Sequence, residues 1–486
     1  MTKAQAEVYR HITFCHPIGT RDGRVGQEES TLVHDAMMVN TLVEVAEVTG
    51  GQAAVKRPGL QIVQSYTPTT GQGLFYRGDT AYYIANDSLT PVPGGTPLVL
   101  PGVGFPGLPY QCLSNYNSNN DCLVKSAQGL WRIDGPSGAV TNVVDADYPS
   151  VTRRGLVELD GTFYVMAEDG TLRGSALQDP TSWDPLNFIG PQSSIGAGIA
   201  VHRHLNYLVA LYSDGTQVFY DAANATGSPL SPVLNAAWRI GCASARSLVT
   251  IDDCTIWLSS AGSGGRSVTM LSGLSPVTIS NAYIDRILSN YDSSQIRGIG
   301  LHTGGHSLYL LILPQAGLCL CYDLVAQHWG VWRCDRSTYA GGFPGASFLS
   351  GSLTSSISNV RPPDLIQGDT DGKIYRLDSG AYDDAGTAIA VKLRTTGYDW
   401  GTTKRKFIPS LYLMADTQAS GTVCSIRWSD DDGASYSAYR DVPLDSQRKL
   451  LHRCGSTRQR VWELLHTANT PFRVWAAEID MELGEG

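Results

Sequence analysis

Seven times along the chain a short run of aromatic and β-branched residues is cut by a glycine turn and resumes as a second short run. The clearest copy is Phe163–Met166, turning at Asp169-Gly170 and resuming at Thr171-Leu172; others start near Leu74, Gly129, Leu208, Thr255, Leu308 and Leu365. From Phe163 onward the copies stand roughly 45 to 57 residues apart, in the window of solenoids, propellers and arrays. A unit of this size cannot bury its own apolar face, so it must stack on its neighbours.

The turns within the copies agree in kind. Asp169-Gly170, Asp214-Gly215 and Asp371-Gly372 hold equivalent places, and an Asp-Gly pair between apolar runs is the strongest local hairpin signal. Glycine-turned, aromatic-rich units of this length have the composition of four-stranded propeller blades. The reading is an all-β chain whose residues 71–385 form a β-propeller of about six or seven blades. The one good helix expected there follows Ser280 as N-cap, with Ile284, Ile287 and Leu288 on one face.

Residues 1–70 read as a non-repeating N-terminal lead-in. Leu32, Ala36, Val39 and Val43 recur at helical spacing, but the β-branched content around Val39–Val48 suits strands equally, and both readings stay open. Over residues 386–486 the repeat gives way to longer segments of near-alternating polarity, at Phe407–Met414, Thr422–Trp428, Arg460–Leu465 and Arg473–Met481. They read as a separate C-terminal β-sandwich domain.

With 42% hydrophobic and 17% charged residues the chain packs rather than stays disordered, and 52 glycines with 24 prolines fit many turns. Its net charge of −9 argues against a groove that grips phosphates, though not against a surface past which DNA slides. The ten cysteines lack the spacing of a small disulfide domain, and Met1–Arg10 lacks the apolar segment of a secretory signal, so reduced thiols in a cytosolic product are expected. No apolar run approaches a membrane span; even Leu308–Leu313 stops at Pro314.

Candidate chemistry is sparse. Ser429-Asp430-Asp431-Asp432-Gly433-Ala434-Ser435-Tyr436 fits the Asp-box pattern of sialidase-type propellers, where the motif is a turn device. Cys319, Cys321, His328 and Cys334 invite a zinc reading, but Cys319 and Cys321 stand two apart on a strand, closer than a zinc knuckle allows, and core packing is favoured. His202 and His204 share one strand face, yet no third ligand is identifiable. No Gly-x-Ser-x-Gly elbow exists, and the Gly368–Lys373 segment is too short between its glycines to cradle phosphate. Lys404, Arg405 and Lys406, with Arg453, Arg458 and Arg460, form either a phosphate or nucleic-acid patch or, as favoured, a charged strand edge or subunit contact. No catalytic, cofactor-binding or metal-binding residue is assigned.

Several segments together resemble one family, the tail-hub or nozzle proteins of short-tailed, podovirus-type bacteriophages, also called packaged-DNA stabilisation proteins. The resemblance rests on Lys56-Arg57-Pro58-Gly59-Leu60; on Asp179-Pro180, Trp183, Pro185 and Phe188; and on Ile279-Ser280-Asn281-Ala282 before Ile284-Asp285. It continues through Gly305-His306, Tyr309, Tyr322-Asp323 and Trp329 to Trp428–Gly433 and Arg458–Val461, in the family's order over most of residues 50–486. It implies a non-enzymatic virion protein, made in the bacterial cytoplasm, that forms a homo-hexameric ring below portal and adaptor. Such a ring continues the channel for double-stranded DNA, retains the genome until ejection and docks tail fibres or spikes. An acidic wall would let the duplex pass, its repulsion reaching about 8–10 Å at physiological salt. The alternatives carried from the residues are a propeller enzyme acting on glycans, prompted by the Asp-box, and a carbohydrate- or protein-binding module.

Overall fold

The structure, a computed structural model, describes residues 10–16, 18, 36–45, 51–68, 71–77, 80–85, 88–101, 111–113, 117–191, 195–261, 264–334, 347–349, 364–368 and 371–484. Leu32, Gly50, most of Met1–Arg10 and part of the Gly368–Lys373 segment lie outside the described residues.

Among the described residues the repeats form seven antiparallel sheets in chain order. Blade 1 holds Gly73–Arg77, Thr80–Ala85, Ser88–Val92 and Leu98–Val99, and blade 2 runs from Gln111–Leu113 to Val140–Asn142. Blade 3 runs from Val157–Leu159 to Asp179–Ile189 and blade 4 from Gly198–His204 to Leu230–Trp238. Blade 5 splits its inner position between Gly241–Cys242 and Val249–Ile251 and ends at Ser275–Thr278; blade 6 spans Arg297–Thr303 to His328–Trp332. Blade 7 takes Ser347–Leu349, Leu365–Gln367 and Lys373–Asp378 from late in the chain, and Gly59–Ser65 from before blade 1 as its next strand.

The packing settles the blade number within the six-or-seven expected. Each gap between neighbouring blades holds its own apolar cluster, and the gap between blades 7 and 1 is filled by Leu365 and Ile374 against Leu74, Tyr83 and Val92. The ring is closed. Middle strands lie between two such clusters, so Thr162–Met166 and His306–Leu313 are buried at every position and read as continuous apolar runs. The helix Ala282–Ser289 joins blades 5 and 6 and buries Ile284 and Leu288. Its N-cap is Asn281, whose Oδ1 accepts from the Ile284 amide at 3.0 Å, one residue after the expected Ser280. The Ser280 hydroxyl instead accepts from the Val268 amide and donates to Asp285, tying the helix to blade 5.

Most of the remaining strands make a two-sheet sandwich, while Lys406–Phe407, Ser456–Thr457 and Glu482–Leu483 form a small sheet of their own and Asp383–Asp384 with Thr387–Ala388 extend the sheet of blade 7. One sheet orders Thr41–Val45, Gln52–Lys56, Arg473–Ile479, Ser410–Ala415 and Leu450–His452, with Arg10–Thr13 also on Arg473–Ile479. The other orders Met37–Val39, Val391–Arg394, Val461–His466, Val423–Ser429 and Arg440–Pro443, and continues into blade 6 through the parallel pair Val39–Val331. A single core of Ile12, Met38, Leu393, Leu411, Ile426, Trp462 and Ile479, among others, lies between them. Within the lead-in expected over residues 1–70, the regular elements described are all strands, four of them in the sandwich sheets and Gly59–Ser65 in blade 7. Among the described residues no helix is long and apolar enough to cross a membrane.

Candidate functional site

The seam between propeller and sandwich gathers a dense set of buried polar contacts. Asn40 sits at φ +59, a conformation asparagine tolerates better than most residues, immediately after the strand that joins the two bodies. Its amide donates to Val331 O at 2.8 Å and its Nδ2 to Ala390 O at 2.8 Å. Its Oδ1 accepts from the Arg333 amide at 2.7 Å and from Arg57 Nε at 3.0 Å. Arg57, fully buried, forks onto Asp384 at 2.9 and 2.6 Å and lies over the Trp332 ring at 5.3 Å. Asp384 also accepts from the Leu60 amide at 3.2 Å. A bidentate guanidinium–carboxylate pair with its remaining atoms occupied is the geometry in which a buried ion pair holds. The Lys56–Leu60 segment is thus a structural lock. Gly59 has no alternative there, since a Cβ would meet Asp383 O at 2.3 Å.

A cavity of about 260 Å³ opens beside the lock, walled by Leu42, Lys56, His306, Tyr382, Phe472 and Arg473, among others. Its charges are already engaged. Lys56 Nζ donates to Ala468 O at 2.7 Å, and burial, with Arg57 beside it, pulls its ammonium down to about 8. His306 Nδ1 lies 2.6 Å from Asp323, whose carboxylate raises the imidazole above its ordinary range. Arg473 reaches Asp416 at 3.0 Å and Glu44 at 3.7 Å. This arrangement ties surfaces together and presents no paired nucleophile and base.

The residues singled out by sequence fall into such ties. Cys319 and Cys321 are buried in the core between blades 6 and 7, and burial raises both thiols. Cys334 is buried as well, and His328 lies at the other end of the blade 6 outer strand. His202 and His204 reach blade 5: His202 meets the Thr250 hydroxyl, and His204 meets Thr255 Oγ1 at 2.9 Å and Gly273 O at 2.6 Å. Among the described residues no three His, Cys, Asp or Glu side chains gather as a metal-holding group.

The Asp-box is a closed turn. Asp431 accepts from Ser429 Oγ, Ser435 N and Ser435 Oγ, contacts that hold its carboxyl down to about 2, and the Gly433 amide donates to Ser429 Oγ at 2.8 Å. The basic residues divide. Lys406 and Arg460 are buried, Lys406 Nζ donating to the carbonyls of Thr402 and Arg458, and Arg460 forking onto Asp430 at 2.6 and 2.8 Å. Lys404, Arg405, Arg453 and Arg458 are exposed. Sequence reasoning passed over Asn40 and Asp384, because their partners lie far away along the chain.

The model of the Phage_stabilise family, described as bacteriophage P22 Gp10, β-propeller, matches residues 23–348. Among solved structures, the N-terminal domain of Nup159 aligns at 9% identity over 70% of this chain and 98% of that chain, with a TM-score of 0.40. A chain from the S. cerevisiae complex of dbp5 with nup159, gle1, ip6 and adp aligns at 9% identity, over 70% and 98%, with a TM-score of 0.39. Likenesses of this degree carry no argument about function. No curated protein matches the chain.

Proposed function

Because this chain belongs to the Phage_stabilise family, we propose that it is the tail-hub, or nozzle, subunit of a short-tailed bacteriophage. In this reading six copies close into a ring below portal and adaptor. The ring continues the DNA channel, retains the packaged genome, conducts it at ejection and docks fibres or spikes. Identical subunits close such a ring through heterologous contacts related by rotation. The observation that carries the reading is the family match across residues 23–348, which spans six blades and reaches the inner strand of the seventh.

Two features of the chain support its reading as a rigid channel wall. Propeller and sandwich share strands and a buried ion pair, so neither can shear past the other without breaking backbone hydrogen bonds at the Val39–Val331 pairing. The net charge of −9 disfavours sticking to a passing duplex. We read the chain as structural rather than enzymatic, since the Asp-box that prompted the glycan-active reading is a hydrogen-bonded turn in the sandwich.

Light scattering and cryo-electron microscopy of purified protein with its portal–adaptor complex test this. The expected result is a six-fold ring on the adaptor, with six times the 52.3 kDa chain mass. A chain that stays monomeric and does not join the complex would overturn the reading.

A further inference from the structure

Lys56 borders the seam cavity as a buried cation without a paired anion. The residue is 3% exposed. Its Nζ donates to Ala468 O at 2.7 Å and lies 5.9 Å from the centre of the Tyr382 ring, another wall of the same cavity. An ammonium carries three donors, so one carbonyl does not exhaust it. The acidic residues that act on it are committed elsewhere. Asp384 takes the fork of Arg57, and Asp383 accepts from the Gly386 amide at 2.7 Å and from Asn469 Nδ2 at 3.0 Å. Among the described residues no carboxylate comes within ion-pair distance of Lys56 Nζ. A buried charge left in this state is costly, and an anion in the cavity would relieve it.

The rest of the cavity divides into an apolar interior and an acidic mouth. Leu42, Pro58 and Phe472 are buried. Phe472 is fixed beside the ammonium, because its carbonyl accepts from the Lys56 amide at 2.8 Å and its ring stacks on His466 at 4.5 Å. At the mouth Arg473 reaches Asp416 at 3.0 Å and Glu44 at 3.7 Å, and these three side chains are 40–46% exposed. Together they leave one negative charge outside the single positive charge within. That order of charges selects against inorganic phosphate, whose second charge meets the acids at the mouth. It selects against an uncharged ligand too, which leaves Lys56 unpaired. The volume of about 260 Å³ lies just under the lower end of ligand pockets, roughly 300 Å³, and suits one compact molecule.

We propose that the seam cavity is a binding site for one small organic monocarboxylate, its carboxylate on the Lys56 ammonium and its apolar body against Leu42, Pro58 and Phe472. The site is built within one chain from the propeller and the sandwich. It does not rest on the assignment to a phage tail, and a monomeric chain would carry it equally.

The test is titration of the full chain with 4-fluorobenzoate, followed by calorimetry and fluorine NMR, at ionic strength matched with sodium chloride. Saturable one-to-one binding is expected. The uncharged analogue 4-fluorobenzyl alcohol and inorganic phosphate should each bind at least about tenfold more weakly, the scale of a lost charge-assisted hydrogen bond. Lys56→Met, which keeps an apolar stem and removes the charge, should weaken 4-fluorobenzoate by a similar factor. Lys404→Met, at an exposed lysine outside the cavity wall, should leave binding unchanged. Should Lys56→Met fail to fold, Ser379→Trp, at an exposed position on the wall, is expected to obstruct entry and weaken binding. Absence of saturable binding to the unaltered chain would overturn the proposal. Equal affinity for the alcohol would do the same, since it would remove the ammonium from recognition. Binding that survives in Lys56→Met, or is lost in Lys404→Met, would put the carboxylate elsewhere and also sink it.

Discussion

Arg57 and Asp384 illustrate how much a single pair holds here. Their charges are buried and bound to each other, to Asn40, to the Leu60 amide and to the Arg333 carbonyl. Removing one partner strands the other charge in a dry site, so Asp384→Ala is expected to cost about 3–5 kcal/mol. The double change Arg57→Met with Asp384→Leu should cost clearly less than Asp384→Ala alone, because no orphan charge remains. Urea unfolding of the three proteins decides it; equal losses in the single and double variants would show that packing and not charge dominates. The Lys56–Leu60 segment was visible in the sequence as a family anchor, but its role was not, since Asp384 lies more than three hundred residues away.

At the scale of elements, the sandwich strand Val461–His466 sets Glu463 between Arg394 and Arg427, directly opposite it on the two flanking strands. The three side chains meet at 2.6 Å contacts on both sides, and the Tyr439 hydroxyl donates to the same carboxylate at 2.6 Å. Burial alone would raise Glu463, but Tyr439, Arg394 and Lys392 outweigh it and hold the carboxyl below its ordinary 4.5. A depressed carboxyl stabilises the fold above the unfolded value and loses that contribution as pH falls from 4.5 through the lower folded value. His202 and His466, each brought down to about 4 chiefly by burial, weaken the fold earlier, from 6.5 downward, because the unfolded chain protonates first. Glu463→Gln should therefore flatten the lower part of the acid limb in pH-dependent unfolding and leave the part above 4.5 in place. A limb of unchanged shape would remove Glu463 from the account. The alternating polarity of these strands was legible as sandwich, whereas the Arg–Glu–Arg ladder depends on register, which periodicity does not specify.

For the whole molecule, the decisive feature is a ring closed by an early strand. A fragment covering residues 71–385, the span of the sequence repeat, lacks Gly59–Ser65, which pairs with Lys373–Asp378 in blade 7. That fragment should melt lower and aggregate through its bare edge, while a fragment starting at residue 59 regains order. Thermal circular dichroism and size-exclusion chromatography compare the two; equal melting and a monomeric shorter fragment would show that closure does not depend on the early strand.

The seven hairpin copies by themselves determined a stacked all-β architecture, and all seven fall in separate blades. They do so because a middle strand packed on both faces must be an apolar run closed by a tight turn, which is local information. From Phe163 onward each copy begins in the second strand of its blade, whereas Leu74 marks the first strand of blade 1 and Gly129 just precedes the third strand of blade 2. That shift hid the even count, because strand–turn–strand looks the same anywhere in a blade. Only the tertiary structure decided that seven blades close and that residues 37–45 and 52–65 serve two bodies. Each depends on pairing between segments far apart in the chain, whose partners are chosen by packing rather than by local pattern.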